Sequence, residues 1–395
     1  MEDKEAIILA GGFQEDKGRP EKIFAEMTMD FLEDLSKEIR KNPQTSAQEE
    51  VVSFAFWCRR RQLEQWKNQY ARNQIRMGKG TIFHVAPSNI PTLFAYTMAF
   101  GMLSGNGNIV RVSNRIVKDI LPLCQVIETV MSRSKYRGLY EKNVVLTYEA
   151  KEELTKKYSA ICHGRVIWGG DETIQNIQEI PVNPGVFDLT FSDRRSIAVF
   201  MEDWMEQQDE DSIKQLARRF YNDTFSMDQN ACSSPSIIFW IGKKNEDTRK
   251  KWWREVYKAS KDYELTPWKV SRKYEEIALI ALKHNELGNF QSYGNRLYVT
   301  ELFHKPINVE KYHGQFGCFY EYQLNQIQEL GECLSRKVQT ILYAGEIKEA
   351  IADIIVTSGA KGGDRIVPVG QGLTMTPVWD GVDIIETLSR IVDVR

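Results

Sequence analysis

The chain has 395 residues, 27% of them charged and 42% hydrophobic, with a formal net charge of −2. That length has room for two cores of ordinary size, and the near-neutral balance gives no basic field to draw in nucleic acid or an anionic membrane. Its 6 cysteines and 5 histidines show no C-x-x-C pair and no metal-ligand rhythm, so no metal site or disulfide framework is expected and the cytoplasm is the expected compartment.

In chain order, the opening Met1-Glu-Asp-Lys is acidic and the apolar stretch behind it short, unlike a secretory signal. Ile7-Ile-Leu-Ala-Gly-Gly resembles the glycine loop of sugar-nucleotide nucleotidyltransferases, but Phe13-Gln-Glu-Asp follows it with side chains that repel a triphosphate. Helices are expected from Glu21 to Arg40, where Ile23, Met27, Phe31, Leu35 and Ile39 recur at helical spacing, and from Ser46 to Arg72. Arg59-Arg60-Arg61 there, and Lys250-Lys251 later, read as solvated helix faces. From Gly80 the pattern alternates. Strands at 80–86, 108–112, 144–147 and 165–168 are separated by helices at 91–103, 116–132 and from Glu152, which argues for βαβ units in a doubly wound sheet. The apolar stretch from Pro91 to Leu103 falls short of the ~20 residues a membrane helix needs.

A second unit is expected from Asp211. It comprises a helix over 212–221, a polar stretch to Cys232, a buried strand over 236–241, a helix rich in Lys, Arg and Trp, a strand at 340–345 and a helix at 348–356. Asp383 to Val394 is expected to be helical. The resulting fold class is α/β with two domains and the active site in the cleft between them. Residues 1–210 form the N-terminal helices and cofactor-binding domain, 211–372 the catalytic domain, and 373–395 a C-terminal segment packing back on the cofactor domain.

Three segments carry chemistry. His84-Val-Ala-Pro-Ser-Asn-Ile-Pro hands a strand over to a helix, where open α/β sheets bind ligands; Asn89 there either faces a cleft or caps the helix. Trp168-Gly-Gly-Asp opens another helix, and its glycines either let a phosphate approach backbone N–H groups or make a tight turn. Asp228-Gln-Asn-Ala-Cys-Ser-Ser-Pro sets Cys232 in a polar, turn-rich stretch suited to a reactive thiol, whereas Cys58, Cys124, Cys162, Cys318 and Cys333 read as packing residues.

Together and in order, from about Gly80 onward, these segments resemble the aldehyde dehydrogenase superfamily, and within it the acyl-CoA reductase family typified by the LuxC fatty-acid reductase. Asp364-Arg-Ile-Val-Pro-Val-Gly and Trp379-Asp-Gly resemble its C-terminal signature. The resemblance implies an aldehyde-dehydrogenase-like fold with a Rossmann-like cofactor domain. It makes Cys232 the nucleophile and Asn89, with the Cys232 backbone N–H, the oxyanion hole. Arg111 and Ser113 then meet the adenosine ribose, Gly169 and Gly170 the pyrophosphate, and Phe316 the nicotinamide ribose; Pro87 and Ser88 are placed with the cofactor.

Departures refine this expectation. Thr190 stands where hydrolytic relatives carry a water-activating glutamate, which favours acyl exchange and reduction over acid release. Asn114 replaces an acidic residue near the ribose, so NADPH is expected ahead of NADH. Gly314 stands where an acidic residue often precedes Phe-Gly. The expected function is reduction of an acyl thioester, from coenzyme A or an acyl-carrying protein, to an aldehyde through an S-acyl cysteine. The alternatives are an aldehyde dehydrogenase and a non-catalytic partner of an acyl-transferring enzyme. Such an enzyme and a second copy in a homodimer are the candidate protein partners. Trp252, Trp253, Trp268, Phe290 and Tyr293 are weighed as an acyl tunnel against ordinary core packing, and packing is preferred.

Overall fold

The structure, a computed structural model, describes residues 6–70, 74–149, 152–284 and 287–395. Residues 1–5 and the end of the helix expected to reach Arg72 lie outside them. The chain forms two compact units, Met1–Ser192 with Val382–Arg395, and Asp193–Gly381. The division falls ahead of the expected Asp211, because the strand that begins at Arg195 pairs within the second sheet. The return to the first unit comes at Val382 instead of at 373.

The first unit opens on β1 (Ile7–Gly11), a strand that was not expected, ahead of the first expected helix. Four helices follow: α1 (Glu26–Lys41), α2 (Pro43–Ser46), α3 (Glu49–Trp57) and α4 (Arg60–Tyr70). The single helix expected from Ser46 is therefore broken at Cys58-Arg59, where the Arg60 N–H turns to donate to Glu33 Oε2 at 2.7 Å. Strands β2 (Ile75–Gly78) and β3 (Thr81–Val85) lead to α5 (Leu93–Leu103) and β4 (Gly107–Val112). Then come α6 (Val117–Met131), α7 (Arg137–Tyr140), β5 (Asn143–Thr147), α8 (Glu152–Ile161), β6 (Gly164–Trp168), α9 (Asp171–Gln178) and β7 (Phe187–Phe191).

Six of these strands form one sheet in the order β1-β5-β4-β3-β6-β7, parallel except for β1. Every residue of β3, β5 and β6 is buried, which is why they read as continuous apolar runs. The order grows outward from β3 in both directions, first through β4 and β5 and then through β6 and β7. The β3/β6 pair is thus a topological switch point, where ligands bind beyond the carboxyl ends of the strands.

A buried polar chain runs through this sheet. Asn108 Nδ2 donates to Asn143 Oδ1 at 2.7 Å, so its Oδ1 is left to accept from His84 Nε2 at 2.9 Å. His84 Nδ1 then accepts from Thr97 Oγ1 at 2.8 Å, and Thr97 in turn accepts from Trp168 Nε1 at 3.2 Å. Burial pushes His84 down to about 4, so it remains a neutral structural imidazole. The C-terminal residues form a short helix over 384–388 and a strand at Ser389–Val392 paired antiparallel with β2, where a helix to Val394 was expected.

The second unit contains β8 (Arg195–Met201), α10 (Glu202–Glu206), α11 (Glu210–Thr224), β9 (Pro235–Ile241), α12 (Glu246–Ala259) and α13 (Pro267–His284). It continues through β10 (Leu287–Tyr293), β11 (Leu297–Leu302), β12 (Cys318–Leu324), β13 (Val338–Ala344), α14 (Lys348–Ser358) and β14 (Arg365–Pro368); α15 (Ile384–Leu388) then belongs to the first unit. Its seven-stranded sheet runs β10-β11-β12-β9-β8-β13-β14, with only β10 antiparallel. Trp252 and Trp253 pack against Phe200, Phe220 and Phe319 in the core on one face. Trp268 is 62% and Phe290 44% exposed, and Tyr293 packs on Tyr257. These five aromatics do not line one tunnel.

Candidate active site

In the first unit, the expected cofactor residues gather at the carboxyl ends of β4, β3 and β6. After β3 the segment from Pro87 to Asn89 is irregular, with Ser88 and Asn89 exposed. Asn89 does not cap the following helix. That helix begins at Leu93 behind Thr92, and no side chain caps it.

Arg111, at the end of β4, stacks its guanidinium 5.4 Å from the Tyr148 ring, and its Nε is buried without a hydrogen-bond partner. The Ser113 hydroxyl accepts from the Arg115 N–H at 3.4 Å, and Asn114 Oδ1 takes the Thr147 hydroxyl. After β6, Gly169 commits its N–H to Phe191 O at 3.1 Å, so that N–H is not free for a phosphate. Gly170 is the N-cap of α9, and a Cβ added there would meet nothing within 4 Å. Asp171 and Glu172 occupy the first turn of that helix, a charge a phosphate has to share.

In the second unit the chemistry lies at the amino end of the sheet, in the connections that enter β8, β9, β12, β13 and β14. Cys232 is partly exposed while the other five cysteines are buried. The turn that carries it begins with two non-glycine residues in the left-handed region, Asp228 at φ 54° and Gln229 at φ 60°, a conformation that persists only where neighbours hold it. They do. Lys269 Nζ donates to Asp228 Oδ1 at 2.7 Å, and the Tyr263 hydroxyl donates to the same oxygen. The buried Gln229 amide donates to Pro235 O at 3.1 Å and Cys318 O at 2.9 Å, and accepts from the Gly317 N–H at 3.1 Å. Beyond the thiol, the Ser196 hydroxyl donates to Cys232 O at 2.6 Å.

Gln229 thereby ties the cysteine turn to the Phe316-Gly317 turn, as the Phe316 N–H also does by donating to Asp228 O at 3.2 Å. Phe316 is itself left-handed at φ 55°. Its carbonyl accepts from the buried Lys273 ammonium at 3.0 Å, which also donates to Asn295 O and Arg296 O. Gly314 sits at φ +55°, and a Cβ there would come 2.6 Å from Cys318 O. No acidic side chain fits at that position. A carboxylate reaches the loop from α13 instead, where Glu276 Oε1 accepts from the Gly314 N–H at 2.7 Å.

Around the sulfur lie both signs of charge. Asp193 Oδ1 is 3.8 Å from Cys232 Sγ, and Arg195 is 3.5 Å from the Asp193 carboxylate. Burial pushes the Cys232 thiol up, Asp193 and Asp380 push it the same way, and the Arg194 N–H and Arg195 pull it down. The net effect is upward, so the Cys232 thiol gives up its proton less readily than a free cysteine. Gln229, Lys273, Glu276 and Asp193 were not singled out in the sequence. The one local cue was the clustering of Asp193 with Arg194 and Arg195 at a strand start.

Residues 27–281 match the sequence profile of a family described as acyl-CoA reductase (LuxC). A long-chain acyl-protein thioester reductase of Vibrio harveyi is 23% identical over 304 residues, covering 74% of this chain. The chain spans only 59% of the length of that relative. The fold is similar to that of an NAD-dependent benzaldehyde dehydrogenase from Corynebacterium glutamicum, with TM-score 0.60, 12% identity and coverage of 92% of this chain and 82% of that one. A lactaldehyde dehydrogenase gives TM-score 0.63 at 10% identity over 92% of this chain and 85% of that one. A mutant 1-pyrroline-5-carboxylate dehydrogenase of Thermus thermophilus gives 0.62 at 12%, covering 92% and 80%. The architecture is the aldehyde dehydrogenase fold.

Proposed function

The chain belongs to the acyl-CoA reductase (LuxC) family, and on that premise we propose that it reduces an acyl thioester to an aldehyde, holding the acyl group on Cys232 and using NADPH. The observation that carries this reading is the cysteine turn: the single partly exposed thiol of six sits on a strained turn anchored on both sides. A nucleophile needs that combination of access and fixed position. The similarity to a thioester reductase named for acyl-protein substrates supports an acyl thioester as substrate, with coenzyme A or a carrier protein as the thiol.

In the first step Cys232 Sγ attacks the acyl carbon and the thiol leaves. The Cys232 backbone N–H would bear the oxyanion, and the family resemblance assigns Asn89 as a second donor; such donors are commonly worth ~3 kcal/mol each. Thr190, in β7, has no basicity near neutral pH, so without the water-activating glutamate of hydrolytic relatives the acyl-cysteine should hydrolyse slowly. A nicotinamide cofactor, when bound, would be the source of the hydride that reduces the acyl group held on Cys232. The residues present fit such a cofactor, since the Arg111 Nε is buried and unpartnered and Gly170 leaves open space at the start of α9. Arg111 and Ser113 would hold the adenosine ribose, with the Arg111 charge favouring a 2′-phosphate. Pro87, Ser88 and Gly170 would border the pyrophosphate, and Phe316 the nicotinamide side.

The test is NADPH consumption with a panel of acyl-CoAs for wild type and Cys232→Ala. Acyl-CoA-dependent oxidation that vanishes in the variant supports the reductase. Oxidation that persists without Cys232, or acid released from aldehyde at a comparable rate, overturns it.

A further inference from the structure

The acyl-transfer step has a proton to place. A cysteine thiol carries a hydrogen that must leave as the sulfur bonds to the acyl carbon. The charged groups bearing on the sulfur are Asp193, Asp380 and Arg195, with His313 and Lys337 behind them. Asp380 is committed, accepting from Gln339 and lying 3.8 Å from Arg194. Arg195 has no acceptor to offer. Asp193 is different: its carboxylate touches the sulfur at 3.8 Å, and its side chain is 56% exposed. It is also held in place. Lys337 Nζ donates to the Asp193 backbone carbonyl at 3.2 Å. Arg195 lies 3.5 Å from the carboxylate and is steadied by donating to His313 Nδ1.

We propose that Asp193 is a catalytic residue of the acyl-transfer step, taking the proton of Cys232 and returning it to the departing thiol. As the S–C bond forms, the thiol proton passes to Asp193 Oδ1. As the thioester C–S bond then breaks, the leaving thiolate takes that proton, so the exchange consumes no net proton and no electrons. This role rests on the acyl-thioester reading above.

The proposal makes a prediction that simple electrostatics does not. Asp193→Asn removes a negative charge beside the sulfur, so thiolate forms more easily and alkylation of Cys232 by iodoacetamide at neutral pH should hold or accelerate. Acylation of the same sulfur by palmitoyl-CoA, followed by protein mass without cofactor, should slow about 100-fold, and Asp193→Glu should recover part of that loss. An Asp193→Asn enzyme that acylates as fast as wild type overturns the role of Asp193 and leaves the reductase reading intact. So does one in which both reactions slow together, which marks a structural prop. A wild-type Cys232 that alkylates but takes no acyl group from palmitoyl-CoA or an acyl-protein overturns both.

Discussion

Burial pushes Asp223 and Asp380, both in the second unit, up to about 6. Asp223 nonetheless accepts the N–H groups of Gly370 and Gly372. Between about pH 4, where a free aspartate titrates, and pH 6, the folded chain keeps protons that the unfolded chain has lost. This share of stability is complete below about pH 4 and disappears as pH rises through 6. Urea unfolding at pH 5 and pH 7.5 should therefore show wild type losing roughly 1 kcal/mol more over that interval than Asp223→Asn. In the first unit, buried Arg165 holds Asp188 through two bonds of 2.6 and 2.7 Å. Arg165→Met leaves that carboxylate unpaired and should cost ~3–5 kcal/mol, and most of the loss should vanish in the Arg165→Met, Asp188→Leu double variant.

At the scale of elements, two glycines make opposite predictions. Gly314→Ala forces a side chain into the left-handed region against Cys318 O and should cost about 1–3 kcal/mol. Gly170→Ala meets open space and should leave the melting temperature almost unchanged, yet weaken NADPH binding in a fluorescence titration if a pyrophosphate approaches there. The βαβ alternation was legible because parallel strands buried on both faces are written as apolar runs. β1 was not, because Ile7 and Ile8 are exposed and its partner β5 is remote in sequence. The C-terminal strand was missed for a similar reason: its pairing of Ser389 with Gly78 overrides a local pattern that suits a helix. Cys232 was recognisable from its polar neighbours. Asp193 was hidden, since it approaches the sulfur only through the β8–β9 pairing that sets Ser196 beside Pro235. The unit boundary was hidden by brevity, because only residues 192–194 separate β7 from β8.

At the scale of the molecule, the two units divide the proposed work, one holding the expected cofactor residues apart from Phe316 and the other the thiol and Phe316. Arg111→Ala should then weaken NADPH binding more than NADH binding while leaving iodoacetamide alkylation of Cys232 unchanged, a separation that titration and labelling on the same preparation will check. The order of synthesis follows from the same division. Residues 193–381 form an uninterrupted unit, whereas the first unit is split and its β2 waits for a partner strand at 389–392. Asn106 and Arg76 wait with it, since their side chains bond Leu388 O at 2.8 Å and Glu386 O at 2.7 Å. On a translating ribosome the thiol-bearing unit, although encoded after most of the other, has all its strands before the first unit gains the strand at 389–392 that pairs with β2.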